Sequence, residues 1–189
     1  MSLPDSSETP RTLALRKIVE ETHPEKVLGW PKPTEEDFAL FGRITHCYSA
    51  FDFILRCMAE TMDKKRMVEA PWTGKTQRLS EVDLLKAIQI WIRSNRFTLE
   101  QIEKHRRVRN LVAHFVVRRF PDDDAFIFMT KSAADYKRVY GELPPTIDAM
   151  LYGVLDAQQL RGIMPELEKL LKWAGEVLRD LSRPLPRAG

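Results

Sequence analysis

Apolar residues recur every three or four positions along residues 35–63, which is the spacing of one face of an α-helix. The members of this apolar face are Phe38, Phe41, Thr45, Tyr48, Phe51, Leu55, Met58 and Met62. Thr34 is the predicted N-cap, and the acidic residues after it suit the positive end of the helix dipole. Asp52 falls within the apolar arc, so its carboxylate needs a partner if it is buried.

Two further helices are predicted after this one. Ser80 caps a helix that runs to about Arg93, with Asp83 at the capping-box position. The third helix runs from about Leu99 to Ala113. Three helices in succession predict a mainly helical protein.

The pattern then becomes typical of β-structure. Residues 115–120 and 125–129 are rich in β-formers and flank a turn of one proline and three aspartates, which predicts a β-hairpin. Residues 150–154 are predicted to form a third short strand. The fold class is therefore mainly α, with a hairpin or three-stranded elaboration after the third helix.

Two more helices complete the second half of the chain. The first is short and covers residues 132–140. The last begins near Asp156 and runs to about Leu181, and Pro165 is expected to kink or interrupt it because proline cannot continue the backbone hydrogen bonds.

The first 33 residues look less regular. Residues 1–10 are predicted to be a loose tail, and residues 12–21 a short helix. Three prolines between residues 23 and 33 predict an irregular arm. Trp30 lies within this arm and is expected to dock on the protein body, because an isolated tryptophan usually packs against something.

A length of 189 residues favours one domain, assigned here to residues 34–181. Residues 1–33 are then a tail and arm, and residues 182–189 a C-terminal tail. The chain is 43% hydrophobic and 30% charged, which is ordinary for a globular protein and too apolar for a disordered one.

The cellular compartment is predicted from cysteine spacing and hydropathy. Cys47 and Cys57 lie on one predicted helix, about 15 Å apart, which is too far for a disulfide. No apolar run reaches the roughly 20 residues that span a bilayer. We therefore expect a cytoplasmic protein without a membrane partner.

Charge is strongly uneven in one segment, although the net charge of the whole chain is only +3. No acidic residue interrupts the segment from residue 104 to residue 119. Its basic residues are Lys104, His105, Arg106, Arg107, Arg109, His114, Arg118 and Arg119. A basic helix and the basic residues that follow it can bind the phosphates of a nucleic acid. The alternative is a solvated helix face.

Helical geometry separates two of these residues. Arg109 falls on the apolar arc of the third helix, where an arginine is uncommon unless it is paired or at an interface. Arg109 and His114 are five positions apart and point about 140° away from each other. A single helix would not readily aim both at one phosphate, whereas two copies packed about a two-fold axis could.

The segment Arg109-Asn110-Leu111-Val112-Ala113-His114 resembles the signature of the HEPN superfamily. That signature is an arginine, four to six residues and then a histidine, often with a polar residue after the arginine and an alanine before the histidine. The order of helices over residues 34–181 is also similar. The resemblance implies a helical bundle that dimerises through its motif helices.

In catalytic members this dimer is a metal-independent endoribonuclease, of toxin, stress or defence type. The resemblance implies that His114 exchanges a proton with the ribose 2′-hydroxyl or the leaving oxygen. Arg109 would stabilise the phosphate charge, and Asn110 would orient His114 or the phosphate. The RNA backbone would be contacted by Lys104, Arg106 and Arg107, with Arg118 and Arg119 beside them.

Each motif residue also has a structural alternative. Arg109 can pair with Asp52, His114 can cap the C-terminus of its helix, and Asn110 can make a buried hydrogen bond. The protein would then be a non-catalytic HEPN-like interaction or scaffold module, because a fold does not establish an activity. No cofactor or metal is expected. The expected partners are a second copy, RNA, and an antitoxin or operon partner protein.

Overall fold

The computed structural model describes residues 9–64, 99–144 and 150–183. Within these ranges the helices are α1 (Pro10–Glu21), α2 (Pro24–Leu28), α3 (Glu35–Lys64), α4 (Leu99–His114), α5 (Ala133–Tyr140) and α6 (Ala157–Ser182). The strands are β1 (Val116–Arg119), β2 (Ala125–Thr130) and β3 (Leu151–Asp156). The predicted mainly helical fold with a small sheet is confirmed. The predicted helix that begins at Ser80 lies outside the described residues.

The long helix α3 begins where its capping signal predicts. The backbone N–H of Asp37 donates to Oγ1 of Thr34 at 3.3 Å, and the backbone N–H of Thr34 donates to Oδ2 of Asp37 at 2.7 Å. These reciprocal bonds satisfy backbone donors that a helix start leaves without intrahelical partners. Thr34 is thus confirmed as the N-cap.

The three strands form one antiparallel sheet in the order β1-β2-β3. In its register, Val117 is opposite Phe128, and Ile127 is opposite Val154. The predicted hairpin and third strand are both confirmed. Every residue of β2 from Ala125 to Met129 is buried, because β2 is the central strand and both of its faces are covered.

The described chain divides into two compact units. The first comprises Met1–Thr45 and Lys104–Met164, and contains the sheet. One face of β2 belongs to an apolar cluster of Leu15, Val19, Val27, Phe120, Ala125, Ile127, Met129, Tyr152 and Val154. On the other face, the ring of Phe41 lies 5.3 Å from that of Phe126 and 6.1 Å from that of Phe128.

The N-terminal segment is more ordered than its prolines predict. Residues 24–28 form α2, because Pro24 occupies the first helical turn, where its missing N–H costs nothing. Trp30 packs against Phe120 with ring centroids 4.8 Å apart, which confirms the predicted docking. The backbone N–H of Arg119 donates to the carbonyl of Pro31 at 2.9 Å, so this segment is also hydrogen-bonded to β1.

Helix α1 is joined to β3 by a partly buried hydrogen bond. The Tyr152 hydroxyl donates to Oε1 of Glu20 at 3.1 Å, and Tyr152 is 5% exposed. Burial, and then the Glu20 carboxylate, raise the pKa of Tyr152 to about 12 from its ordinary value of 10.0. The folded protein therefore holds the phenol proton more tightly than the unfolded chain does.

This raised pKa predicts an alkaline loss of stability. Below pH 10 Tyr152 makes its full contribution to the free energy of unfolding. That contribution falls by about 2 kcal/mol as the pH rises to 12, because the phenol ionises at a lower pH in the unfolded chain than in the folded protein. Tyr152→Phe is expected to cost about 1 kcal/mol at neutral pH and to remove this part of the alkaline loss. Urea unfolding of both proteins between pH 8 and 12 measures the difference. An identical pH dependence in the two proteins would contradict the prediction.

The second unit comprises His46–Glu103 and Pro165–Gly189. Its buried apolar residues on α3 include Phe51, Leu55 and Met58. The Tyr48 hydroxyl donates to the carbonyl of Ile102 at 3.4 Å, which ties α3 to α4 within this unit. Helix α6 continues through Pro165, so the predicted interruption there is wrong, and the alternative of a kink stays a prediction.

Candidate nucleic-acid interface

The motif residues occupy different environments on α4. His114 is the last residue of the helix and is exposed to solvent. Arg109 is half-buried, and Asn110 is almost fully buried, with 5% of its surface exposed. The three residues are therefore suited to different tasks, and the exposed imidazole of His114 is directly accessible to a ligand.

Asn110 and Arg106 hold the C-terminal end of α5. Nδ2 of Asn110 donates to the carbonyl of Arg138 at 2.9 Å. The Arg106 guanidinium donates to the carbonyl of Arg138 at 2.7 Å and to that of Val139 at 3.3 Å. The last carbonyls of a helix have no intrahelical partners and carry partial negative charge, so a cation and an amide donor satisfy them. We call this set of contacts the α4–α5 clamp.

Asn110→Ala is expected to lower the free energy of unfolding by about 1 kcal/mol, because the carbonyl of Arg138 loses one of the two side-chain donors that it has from Asn110 and Arg106. Urea denaturation measures the loss. Lys104→Ala, on an exposed position of the same helix, serves as the control and should change stability by less than about 0.5 kcal/mol. Equal stability of the two variants would show that the Asn110 bond contributes little.

The two arginines of β1 make intramolecular contacts. Arg118 donates through Nε to the carbonyl of Leu28 at 2.9 Å. Nη1 of Arg119 donates to both carboxylate oxygens of Asp37, at 2.7 and 2.6 Å, and its Nη2 donates to Asp124 at 2.7 Å. Arg119 thus links the first turn of α3 to the hairpin turn. Contact of either arginine with RNA remains a prediction.

Asp124 accepts from a second arginine, Arg161 of α6, at 2.7 Å. The Arg161 hydrogen bond, followed by that of Arg119, lowers the pKa of Asp124 despite its partial burial. Burial raises the pKa of Asp37, but the bonds from Arg119 and Thr34 outweigh it and keep that pKa below its ordinary value. The hydrogen bond to Asp37 in turn raises the pKa of Arg119. These four side chains form a charge network in the first unit.

Three further predicted site residues lie on α4 and α3. Lys104 is exposed, and Arg107 is half-buried. Asp52 accepts from Nε of Arg56 at 3.0 Å and lies 2.9 Å from its Nη2, one turn along α3. The pairing of Asp52 with Arg109 stays a prediction.

Two features of the first unit were not predicted from the sequence. Asp37 binds Arg119, but the sequence gives no sign of this role. A carboxylate in the first turn of a helix is already explained by the helix dipole. The packing of α5 against the motif helix has no local signal, because the bonds of the clamp join residues that are 28 to 33 positions apart.

No family model, curated protein or solved structure matches this chain. Among the described residues, no helix is long and apolar enough to cross a membrane.

Proposed function

We propose that this protein is an HEPN-like homodimer that binds RNA through α4 and cleaves it as a metal-independent endoribonuclease. The observation that carries the proposal is the exposed His114 at the end of a basic helix that the α4–α5 clamp holds in place. An imidazole titrates near neutral pH, which suits proton transfer to and from ribose oxygens.

The proposed reaction needs one nucleophile, one base and one phosphate-binding group. His114 of one subunit takes the proton of the ribose 2′-hydroxyl, whose oxygen then attacks the adjacent phosphorus. The bond from phosphorus to the 5′-oxygen breaks, and that oxygen takes up a proton from solvent water, to which His114 afterwards releases the proton that it took. The products are a 2′,3′-cyclic phosphate and a 5′-hydroxyl. Arg109 stabilises the negative charge that develops on the phosphate oxygens.

Asn110 has a positioning role in this proposal. Its amide donates to the carbonyl of Arg138, and it is almost fully buried. Asn110 and His114 are four residues apart and lie on the same side of α4. Anchoring Asn110 therefore fixes the helix one turn before His114, so that the exposed imidazole projects from a rigid support.

The proposal requires two copies of the chain. Arg109 and His114 point about 140° apart on α4, so one copy would not readily direct both at a single phosphate. A two-fold axis beside α4 would bring Arg109 of one subunit near His114 of the other. Size-exclusion chromatography with light scattering should therefore give a dimer of about 44 kDa, twice the 22.0 kDa chain.

The test of activity is incubation of a mixed RNA pool with the purified dimer in EDTA. The expected products carry cyclic phosphate ends, which are detected by their resistance to phosphatase until acid opens the ring. An intact RNA pool after incubation with a folded dimer would overturn the catalytic proposal.

A second candidate is a non-catalytic HEPN-like module that binds a protein or nucleic acid. It is favoured by the intramolecular contacts of Asn110, a predicted catalytic residue, and of three predicted RNA-binding residues, Arg106, Arg118 and Arg119. Binding of RNA without cleavage would support this candidate. A toxin-type role, an antitoxin or operon partner and a cytoplasmic location remain proposals that depend on the first experiment.

A further inference from the structure

Helix α5 carries two basic residues at the end that touches the motif helix. Lys137 and Arg138 are both exposed and lie in its last turn. The carbonyl of Arg138 accepts hydrogen bonds from Asn110 and Arg106. The main chain at Arg138 is therefore within hydrogen-bonding distance of the helix that bears His114.

The clamp lies on the same side of α4 as His114. At about 100° per residue, Arg106, Asn110 and His114 fall at roughly 0°, 40° and 80° around the helix. The end of α5 thus packs against the arc that leads to His114. Because Asn110 precedes His114 by one helical turn, an RNA strand bound at His114 would lie close to the last turn of α5.

The clamp also changes the electrostatics of this end of α5. A helix C-terminus carries partial negative charge, which repels a phosphate. Here the guanidinium of Arg106 and the amide of Asn110 bind the carbonyls of residues 138 and 139. Arg138 itself makes a surface ion pair with Asp135 at 2.7 Å, and such exposed pairs are weak and exchange readily with solvent.

We propose that α5 is a second phosphate-binding element of the RNA site, in which Lys137 and Arg138 hold the RNA backbone on its way to His114. The ligand class is single-stranded RNA, bound through its phosphates without base specificity. This inference rests on the proposed function, because it extends the same binding surface. It assigns a role in RNA binding to residues outside the basic segment of α4 and β1.

The test uses the double variant Lys137→Ala/Arg138→Ala. Both side chains are exposed, and the clamp uses the main-chain carbonyl of residue 138, so the variant should keep the fold. The probe is a fluorescein-labelled 2′-O-methyl RNA, which lacks the nucleophilic hydroxyl and stays intact. The matched control is Lys17→Ala/Lys26→Ala, which removes two exposed charges from α1 and α2.

The measured quantity is the salt dependence of binding between about 50 and 200 mM salt. Each phosphate contact to single-stranded nucleic acid contributes about 0.7 to the slope of log K against log salt. Loss of two contacts should flatten the slope by about 1.4 and weaken binding about 25-fold at 0.1 M salt, if affinities converge near 1 M. The control should match the wild type. If circular dichroism shows that the double variant is less stable, the single variant Lys137→Gln is measured instead. It should flatten the slope by about half as much as is expected for the double variant.

The outcomes separate this inference from the proposed function. A flatter slope in the α5 variant alone supports the inference. RNA binding by the wild type with an unchanged slope in the α5 variant overturns the inference and leaves the proposed function standing. Absence of RNA binding by the wild-type dimer overturns the proposed function, and the inference falls with it.

Discussion

Arg119→Met is expected to lower the free energy of unfolding by about 3–5 kcal/mol, the largest stability effect that we predict for a single substitution. Asp37 is only 4% exposed, and both of its carboxylate oxygens accept from Nη1 of Arg119. Removing the guanidinium leaves a buried carboxylate without its cation. Methionine retains much of the apolar stem, so packing changes little.

The measurement is urea unfolding at neutral pH, and the structure offers a matched control. Arg138→Met breaks the exposed pair with Asp135, in which the Arg138 side chain is 58% exposed, and should cost less than about 1 kcal/mol. Adding Asp37→Asn to Arg119→Met should recover part of the loss, because the amide removes the buried charge and keeps an acceptor for Thr34. Equal losses in Arg119→Met and Arg138→Met would refute the buried-pair interpretation.

His114→Ala is expected to reduce RNA cleavage by about 10²–10⁴-fold, the usual contribution of a general acid or base. The imidazole is exposed, so the fold should persist and the loss should appear in the rate. His46→Ala is the matched control, because His46 is an exposed histidine on α3. The cleavage rates of the wild type and of both variants are measured under single-turnover conditions with a defined RNA in EDTA. Cleavage at the wild-type rate by His114→Ala would rule out the proposed mechanism.

Arg109→Ala should also abolish most cleavage, and mixing it with His114→Ala tests the composite site. In a heterodimer of these two chains, one site lacks both groups, and the other combines an intact Arg109 with an intact His114. Random exchange makes half of the dimers heterodimers, so the mixture should recover about a quarter of the wild-type rate. A mixture as inactive as its components would place both residues in a site within one chain.

The sequence by itself determined most of the secondary structure. The apolar spacing and Thr34 locate α3, and the buried run after the aspartate turn locates β2, because these signals join residues only a few positions apart. Local signals fail where two tendencies compete. The prolines of residues 23–33 favour a loop, yet Pro24 fits the first turn of α2.

The candidate site was only partly predictable for a related reason. Helical spacing separates Arg109 from His114 and places Asn110 on the side of His114, and this follows from the sequence alone. The hydrogen-bond partners of Asn110 and Arg119 do not follow from the sequence alone. Arg138 is 28 positions from Asn110, and Asp37 is 82 positions from Arg119. The tertiary structure alone decided that Asn110 supports the helix from a buried position while His114 meets solvent, because burial depends on which distant segments pack against each face.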